Sequence, residues 1–229
     1  KRDTGYNWTK PVDGSTKATE WRGFHDINQT LHVINPRNGW LQNCNSTPFR
    51  VAGDDSPTRG SYPVYMAPDG ENFRGINAVR VLSEEKKFTL DKVIAAGYDP
   101  RLSAFEVLVP AVVKAFEQSI QPNDTLFAWL AGPIAVLKSW DYKSNEASIA
   151  TTLAVEWGQK LLPIILQTKI VDDEELDQVE KTYHFVASAK PQELLQPLLR
   201  TVLDLESRFG RWQLPWGEIN RYQRNDGAI

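Results

Sequence analysis

The sequence predicts a mainly α-helical chain with a short β-hairpin near its N-terminus. From residue 71 onward, apolar residues recur with helical periodicity between capping and breaking residues. Residues 1–70 are instead rich in turn-forming dipeptides, and Asn38-Gly39 separates two short runs at 31–34 and 40–45. We therefore divide the chain into an irregular arm, hairpin and loop at 1–70 and a helical domain at 71–229.

The second strand of the predicted hairpin places two asparagines on one face. Because side chains alternate along a strand, Leu41, Asn43 and Asn45 should face one way. The opposite face then carries Trp40, Gln42 and Cys44. Asparagine is disfavoured in strands, so packing does not explain this choice. Two interpretations stay open: the amides cap turns and bond locally, or they aim donors at a ligand or a developing negative charge.

Capping residues mark where several of the later helices begin or end. Thr89 and Ser103 are expected N-caps, Pro191 suits the first turn of the last helix, and Gly210 should end it. The predicted helices lie at 71–85, at 90–96, after Ser103, and at 126–140, 146–168, 172–188 and 192–209.

Three sites should interrupt helices, and one acidic run should open a helix. Gly132-Pro133 is expected to break or kink the helix at 126–140, and Gly158 and Pro163 to interrupt the next. Residues 172–175 are all acidic and can bind a cation, but acids in a first turn are also favoured by the helix dipole.

Composition excludes several classes of function. The chain has 229 residues and a formal net charge of −3, so nothing predicts nucleic-acid binding. It has no apolar run long enough to span a membrane, and its one cysteine, Cys44, excludes an internal disulfide. The chain begins at Lys1 and its only methionine is Met66, so we expect a cleavage product or an excised segment.

Other catalytic patterns are weak or missing. His25-Asp26 is a conceivable catalytic or metal-binding pair, but no second ligand cluster lies at zinc spacing, so packed or solvated histidines are the simpler interpretation. The sequence has no phosphate-binding glycine motif, no Gly-x-Ser-x-Gly and no Cys-x-x-Cys.

Residues 35–48, which read Asn-Pro-Arg-Asn-Gly-Trp-Leu-Gln-Asn-Cys-Asn-Ser-Thr-Pro, resemble a segment of penicillin acylase-type enzymes, members of the penicillin amidase family. These are N-terminal-nucleophile (Ntn) hydrolases, and the segment carries their oxyanion-hole asparagine. The resemblance implies that role for Asn45. Residues 72–80 resemble the helix that follows the active-site loop of the family, and Arg74 matches an arginine near its catalytic centre.

The resemblance extends over nearly the whole chain. Residues 137–141 resemble a Leu-x-x-Trp-Asp motif, and residues 215–221 resemble a Trp-Gly-x-x-His-Arg segment with Asn220 in place of His. Such enzymes are made as a self-cleaving precursor, a zymogen, and the cut exposes a serine. Lys1 stands where that nucleophile would be, and it cannot supply nucleophile and amine base together.

The resemblance therefore implies an internal segment of the catalytic (beta) chain, without its N-terminal nucleophile. The segment would be a helical part of an αββα Ntn-hydrolase that hydrolyses linear amide bonds of N-acyl compounds, and it would be inactive alone. Its partners would be the alpha chain, the rest of the beta chain and a small N-acyl substrate. We expect no cofactor in this segment, calcium in the parent enzyme, and a periplasmic or secreted location.

The alternative is a helical scaffold or interaction domain with no catalytic parent. Two sequon-like stretches, Asn7-Trp8-Thr9 and Asn28-Gln29-Thr30, would suit a glycosylated extracellular module.

Overall fold

The computed structural model describes residues 1–168 and 176–221, and the chain divides into two compact units, Lys1–Tyr98 and Asp99–Ile229. The fold is mainly α-helical, as the sequence predicts. The first unit ends at Tyr98, and its first helix is hydrogen-bonded through Asn72 to the loop that precedes it. The partition into domains at 1–70 and 71–229 stays a prediction.

The first unit contains two helices that follow a long irregular segment. Helix α1 spans Phe73–Glu84 and helix α2 spans Leu90–Gly97. Each begins at a side-chain cap: the Asn72 side chain accepts a hydrogen bond from the Gly75 N–H, and Thr89 accepts one from Lys92. The structure thus confirms Thr89 as an N-cap. Short 3₁₀ turns are the regular elements that precede α1 in this unit.

The predicted hairpin is the main correction, because neither 31–34 nor 40–45 is a strand. The Gly39 N–H donates to the Pro36 carbonyl (3.0 Å), so the glycine closes a turn, but the chain on either side makes no ladder. Side-chain amides take over part of the pairing, since the Asn38 Nδ2 atom donates to the Ala52 carbonyl (2.6 Å). The second run bonds elsewhere than to 31–34: the Trp40 N–H donates to the Asn38 side chain (3.2 Å) and the Gln42 N–H to the Val51 carbonyl (2.8 Å).

The predicted alternation of faces nevertheless survives without a strand. Leu41, Asn43 and Asn45 are exposed, whereas Gln42 is buried and its neighbours Trp40 and Cys44 are half-buried. The Gln42 backbone N–H donates to the Val51 carbonyl (2.8 Å), and its side-chain Nε2 donates to that of Arg50 (3.2 Å). The alternation of buried and exposed side chains over residues 40–45 therefore does not depend on a strand ladder.

The second unit is a bundle of six helices within its described residues. Helices α3, α4, α5 and α7 pack against one another around buried Leu130, Leu137, Trp157 and Leu198. The indole Nε1 of buried Trp157 donates to the Leu194 carbonyl (3.2 Å), which satisfies its one polar group. The bounds are Phe105–Ser119 (α3), Thr125–Lys138 (α4), Ile149–Leu166 (α5), Gln178–Ser188 (α6), Pro191–Phe209 (α7) and Trp216–Ile219 (α8).

The helix breaks predicted in this unit do not occur, and the alternative of a kink at Gly132-Pro133 stays a prediction. Helix α4 continues through Gly132 and Pro133, and α5 continues through Gly158 and Pro163. A proline removes one donor, and burial of the surrounding helix outweighs that loss. Gly158 has a packing role, because a Cβ there would lie 2.9 Å from the Phe105 ring.

The predicted ends of α7 are confirmed, and two other predictions are corrected or left open. Pro191 is the first residue of α7, and Gly210 ends it in the left-handed conformation (φ 74°). Helix α3 has Ala104 rather than Ser103 as its N-cap. The acidic run at 172–175 lies outside the described residues, and α6 begins at an Asp177 capping box.

Within residues 1–168 and 176–221, no helix combines the length and the apolar character needed to cross a lipid bilayer.

Two adjacent leucines of α5 test how far burial determines the stability of this bundle. Leu161 is fully buried, whereas Leu162 is 39% exposed. We expect Leu161→Ala to lower the free energy of unfolding by about 2–5 kcal/mol, because it leaves a cavity. Leu162→Ala is the matched control on the same helix and should cost less than about 1 kcal/mol. Equal losses in urea denaturation would contradict this packing.

The Asp55 carboxylate holds the loop of the first unit together. The Arg37 guanidinium donates two hydrogen bonds to it (2.9 and 2.5 Å), and the Asn38 N–H donates a third (2.9 Å). These bonds lower the pKa of Asp55 below its ordinary value of 3.8, and hydrogen bonding to the Arg37 side chain is the largest cause.

The lowered pKa of Asp55 predicts that acid destabilises the folded protein. A depressed folded-state pKa stabilises the protein above the unfolded-state pKa, and this contribution is lost as the pH falls through the folded-state pKa. We expect a carboxyl NMR titration to find Asp55 below 3.8 and to find its pKa raised in Arg37→Gln. An unchanged titration in the variant would show that the pairing does not persist in solution.

Candidate functional site

The candidate site lies where residues 43–47 meet the beginning of α1. The Asn72 Nδ2 atom donates to the carbonyl of Cys44 (3.1 Å) and to that of Asn45 (3.2 Å). The Thr47 N–H donates to the Gly70 carbonyl (2.9 Å). These bonds hold the loop against the segment that leads into the helix, so the position of Asn45 follows from the position of α1.

Asn45 has a backbone conformation that few residues adopt. Its φ is 52°, in the left-handed region where asparagine is enriched among non-glycine residues. The Asn43 Oδ1 atom accepts a hydrogen bond from the Asn45 N–H (2.9 Å), and Asn72 bonds the Asn45 carbonyl. Both polar groups of the Asn45 backbone are therefore fixed by other side chains.

The side chains of the two exposed asparagines differ in what they do. Asn43 forms a local turn bond, as the simpler of the two sequence interpretations expected. The Asn45 side-chain amide is exposed and makes no hydrogen bond to any part of the chain that the structure describes. Its two N–H donors are thus available to a ligand.

Close packing sets the separation between this loop and the helix. Gly75 is buried in the first turn of α1, and a Cβ there would lie 2.7 Å from the Ser46 Oγ atom and 2.5 Å from Glu71. Only a residue without a side chain fits at that approach. The Arg50 guanidinium pairs with Glu71 on the same side (3.8 Å).

Arg74 is the second sequence-predicted site residue, and it lies in the same first turn of α1. Its side chain is exposed and has no ion pair or hydrogen bond within residues 1–168 and 176–221. Arg80, further along α1, is engaged by Asn77 (2.7 Å) and Glu84 (3.3 Å). The structure therefore brings Asn45 and Arg74 to the same end of one helix, each with its polar group available.

Sequence reasoning did not single out Asn72, although its position carried a signal. An asparagine directly before an apolar-periodic segment is a typical N-cap. Its second function, the bonds to Cys44 and Asn45, joins residues that are 28 and 27 positions apart. No local pattern predicts such a pairing.

The other candidates do not assemble into a catalytic centre. The His25 Nε2 atom lies 2.9 Å from the Tyr65 hydroxyl, and Asp26 caps a 3₁₀ turn, so these two neighbours have separate partners. The α-amino group of Lys1 donates to the Gly23 carbonyl. In the described part of the chain, no three His, Cys, Asp or Glu side chains come together as a metal-binding group.

Comparison with known protein families gives a match over almost the whole chain. The family model described as penicillin amidase matches residues 1–228. The match contains the loop with Asn45 and the helix with Arg74 as well as the six helices of the second unit. The chain belongs to the penicillin amidase family.

Proposed function

We propose that this chain is an internal part of an Ntn amidohydrolase and that Asn45 donates a hydrogen bond to the oxyanion of its reaction. Membership of the penicillin amidase family supports an acylase-like amidohydrolase at the level of the family. The observation that carries the proposal is the Asn45 amide, which is exposed and without a hydrogen bond in the described residues while its backbone is held on both sides.

The chemistry requires such a donor. When a nucleophile attacks the carbonyl carbon of a linear amide, the carbonyl oxygen takes up negative charge in the tetrahedral intermediate. A preorganised amide N–H stabilises that charge without having to reorient during the reaction. The nucleophile and its α-amine base belong, in this proposal, to another part of the parent protein.

Two positive features lie at this end of α1, beside the negative charge of the Glu71 carboxylate, which accepts a hydrogen bond from the Asn72 N–H (3.0 Å). The N-terminus of the helix carries a partial positive charge, and Arg74 in its first turn adds a full one. We propose that Arg74 helps to hold the oxyanion site or a carboxylate of the substrate. The exposed guanidinium supports either role, because nothing in the described chain neutralises it.

The substrate class is proposed only as far as the family implies it. N-acyl compounds that contain a linear amide, penicillins among them, are the proposed substrates. A panel of such compounds, tested on the full-length enzyme, would identify the acyl group. The parent is proposed to be periplasmic or secreted and to mature by self-cleavage, and the chain alone should turn over none of the panel.

Calcium in the parent enzyme stays a proposal. The resemblance implies calcium for the parent enzyme, but the described residues hold no group of three carboxylate, histidine or cysteine ligands. We derive no catalytic step through the ion, and a site in the parent would need ligands from elsewhere.

The gene sequence of the parent distinguishes this proposal from the alternative of a non-catalytic scaffold. The gene of the parent should encode a serine or cysteine at a self-cleavage junction upstream of this chain. A complete reading frame without such a residue would favour the scaffold.

Asn45→Ala tests the oxyanion role directly. In the full-length enzyme we expect kcat to fall on the order of 10²- to 10³-fold, because one oxyanion donor is lost. Asn28→Ala is the control in the same unit, since the Asn28 amide bonds only Asp26 among the described residues. Steady-state kinetics on an N-acyl substrate measure both variants. A loss below about threefold in Asn45→Ala would overturn the role.

Arg74→Ala tests the second site residue. We expect kcat/KM to fall by about 10- to 100-fold, the usual effect of removing a hydrogen bond to a charged group. Arg80→Ala removes the same side chain from the same helix and should leave kcat/KM within about threefold. If both variants lose activity equally, the effect belongs to α1 and not to the Arg74 guanidinium.

A further inference from the structure

The Asn72 side chain uses its two ends for different tasks. Its Oδ1 atom accepts a hydrogen bond from the Gly75 N–H (3.0 Å) and so caps α1. Its Nδ2 group donates to the carbonyls of Cys44 (3.1 Å) and Asn45 (3.2 Å). One planar amide therefore joins the beginning of α1 to Asn45, the candidate oxyanion donor, and to Cys44, which precedes it.

Such a connection stabilises Asn45 in its uncommon backbone conformation. A left-handed φ in a residue with a Cβ persists when surrounding structure determines it. The bond from Asn43 fixes the N–H side of Asn45, and Asn72 fixes the carbonyl side. These two restraints fix the Asn45 backbone and with it the direction of the Cα–Cβ bond from which the side chain starts.

The close contact at Gly75 makes this restraint stiff. Ser46, the next residue along the loop, lies where a Gly75 Cβ would be, at 2.7 Å from its Oγ atom. Ser46 therefore packs closely over Gly75 and limits movement of the loop toward the helix, and the Asn72 bonds oppose its movement away.

We propose that Asn72 is a positioning residue, which holds Asn45 in the conformation that directs its amide at the oxyanion. This inference rests on the proposed function of Asn45. It goes beyond it by assigning a role to a residue that does not itself reach the reacting atoms. The competing interpretation is that Asn72 serves α1 alone, as an ordinary N-cap.

Two substitutions separate the cap from the restraint. Asn, Asp and Ser are about equally good N-caps, so Asn72→Asp and Asn72→Ser keep the bond to the Gly75 N–H. Asp places an oxygen opposite the two carbonyls that Asn72 now bonds, and Ser is too short to reach them. Thr89→Ala is the matched control, because it removes the cap of α2, where the Thr89 hydroxyl accepts from the Lys92 N–H (3.3 Å).

The experiment measures kcat, KM and Tm of the full-length enzyme, with each Asn72 variant made both in the native sequence and in Asn45→Ala. In the native sequence we expect kcat to fall about tenfold or more and KM to stay within about threefold, since a shift of about 1 Å can cost on the order of 10²-fold. The change in Tm should not exceed that of Thr89→Ala. In the Asn45→Ala background the same substitutions should change kcat less than about threefold, because the group they position is gone.

The outcomes that overturn the proposal are distinct from those that overturn the function of Asn45. Equal losses of kcat in both backgrounds, a loss below threefold in the native sequence, or failure of both Asn72 variants to fold would reduce Asn72 to a structural cap. If Asn45→Ala alone loses less than threefold, the proposed function fails instead. A crystal structure of Asn72→Asp then still tests the restraint, since residues 44–46 should move away from α1.

Discussion

The structure of the first unit depends on one requirement: its backbone N–H and C=O groups need hydrogen-bond partners although no β-sheet supplies them. Residues 31–56 contain no ladder, yet their polar groups still require partners. Side-chain amides supply several of them: Asn38 bonds the Ala52 carbonyl, Gln42 bonds the carbonyl of Arg50, and Asn72 bonds two carbonyls of the loop. An amide is suited to this task because it carries both donors and an acceptor. The abundance of asparagine in this segment follows from that need as much as from any ligand.

The same requirement leaves the Asn45 amide available. Asn43 and Asn72 occupy the backbone groups of Asn45, and its side chain has no hydrogen-bond partner among the described residues. Asn43 and Asn45 occupy the same face in the sequence pattern, but Asn43 has a structural role and Asn45 is the candidate functional residue. The Asn43 side chain is used in a hydrogen bond, whereas in Asn45, within the described part of the chain, only the backbone groups are. A fixed backbone with a free amide is the preorganisation that an oxyanion donor requires.

In the second unit, packing overrides local preference. Pro133, Gly158 and Pro163 are all poor helix residues, and all three lie inside helices. Burial of the surrounding leucines outweighs the loss of one donor, and the Phe105 ring fills the space that a Gly158 side chain would need. At helix ends the capping preferences of single residues do decide the structure, as at Thr89 and Gly210. The reason is that a cap is satisfied by residues close to it in the sequence.

The sequence by itself determined the helical class, most helix ends, the alternating faces of residues 40–45, and a motif specific enough to indicate the family. The helical class, the helix ends and the alternating faces depend on residues within about four positions of one another, and period and capping rules describe them. The family is indicated instead by the resemblance of residues 35–48. Only the tertiary structure decided that no hairpin forms, that Asn45 rather than Asn43 keeps its amide available, and that Asn72 joins α1 to Cys44 and Asn45. The physical reason is separation along the chain: a bond between residues 27 or 28 positions apart leaves no periodic trace in the sequence.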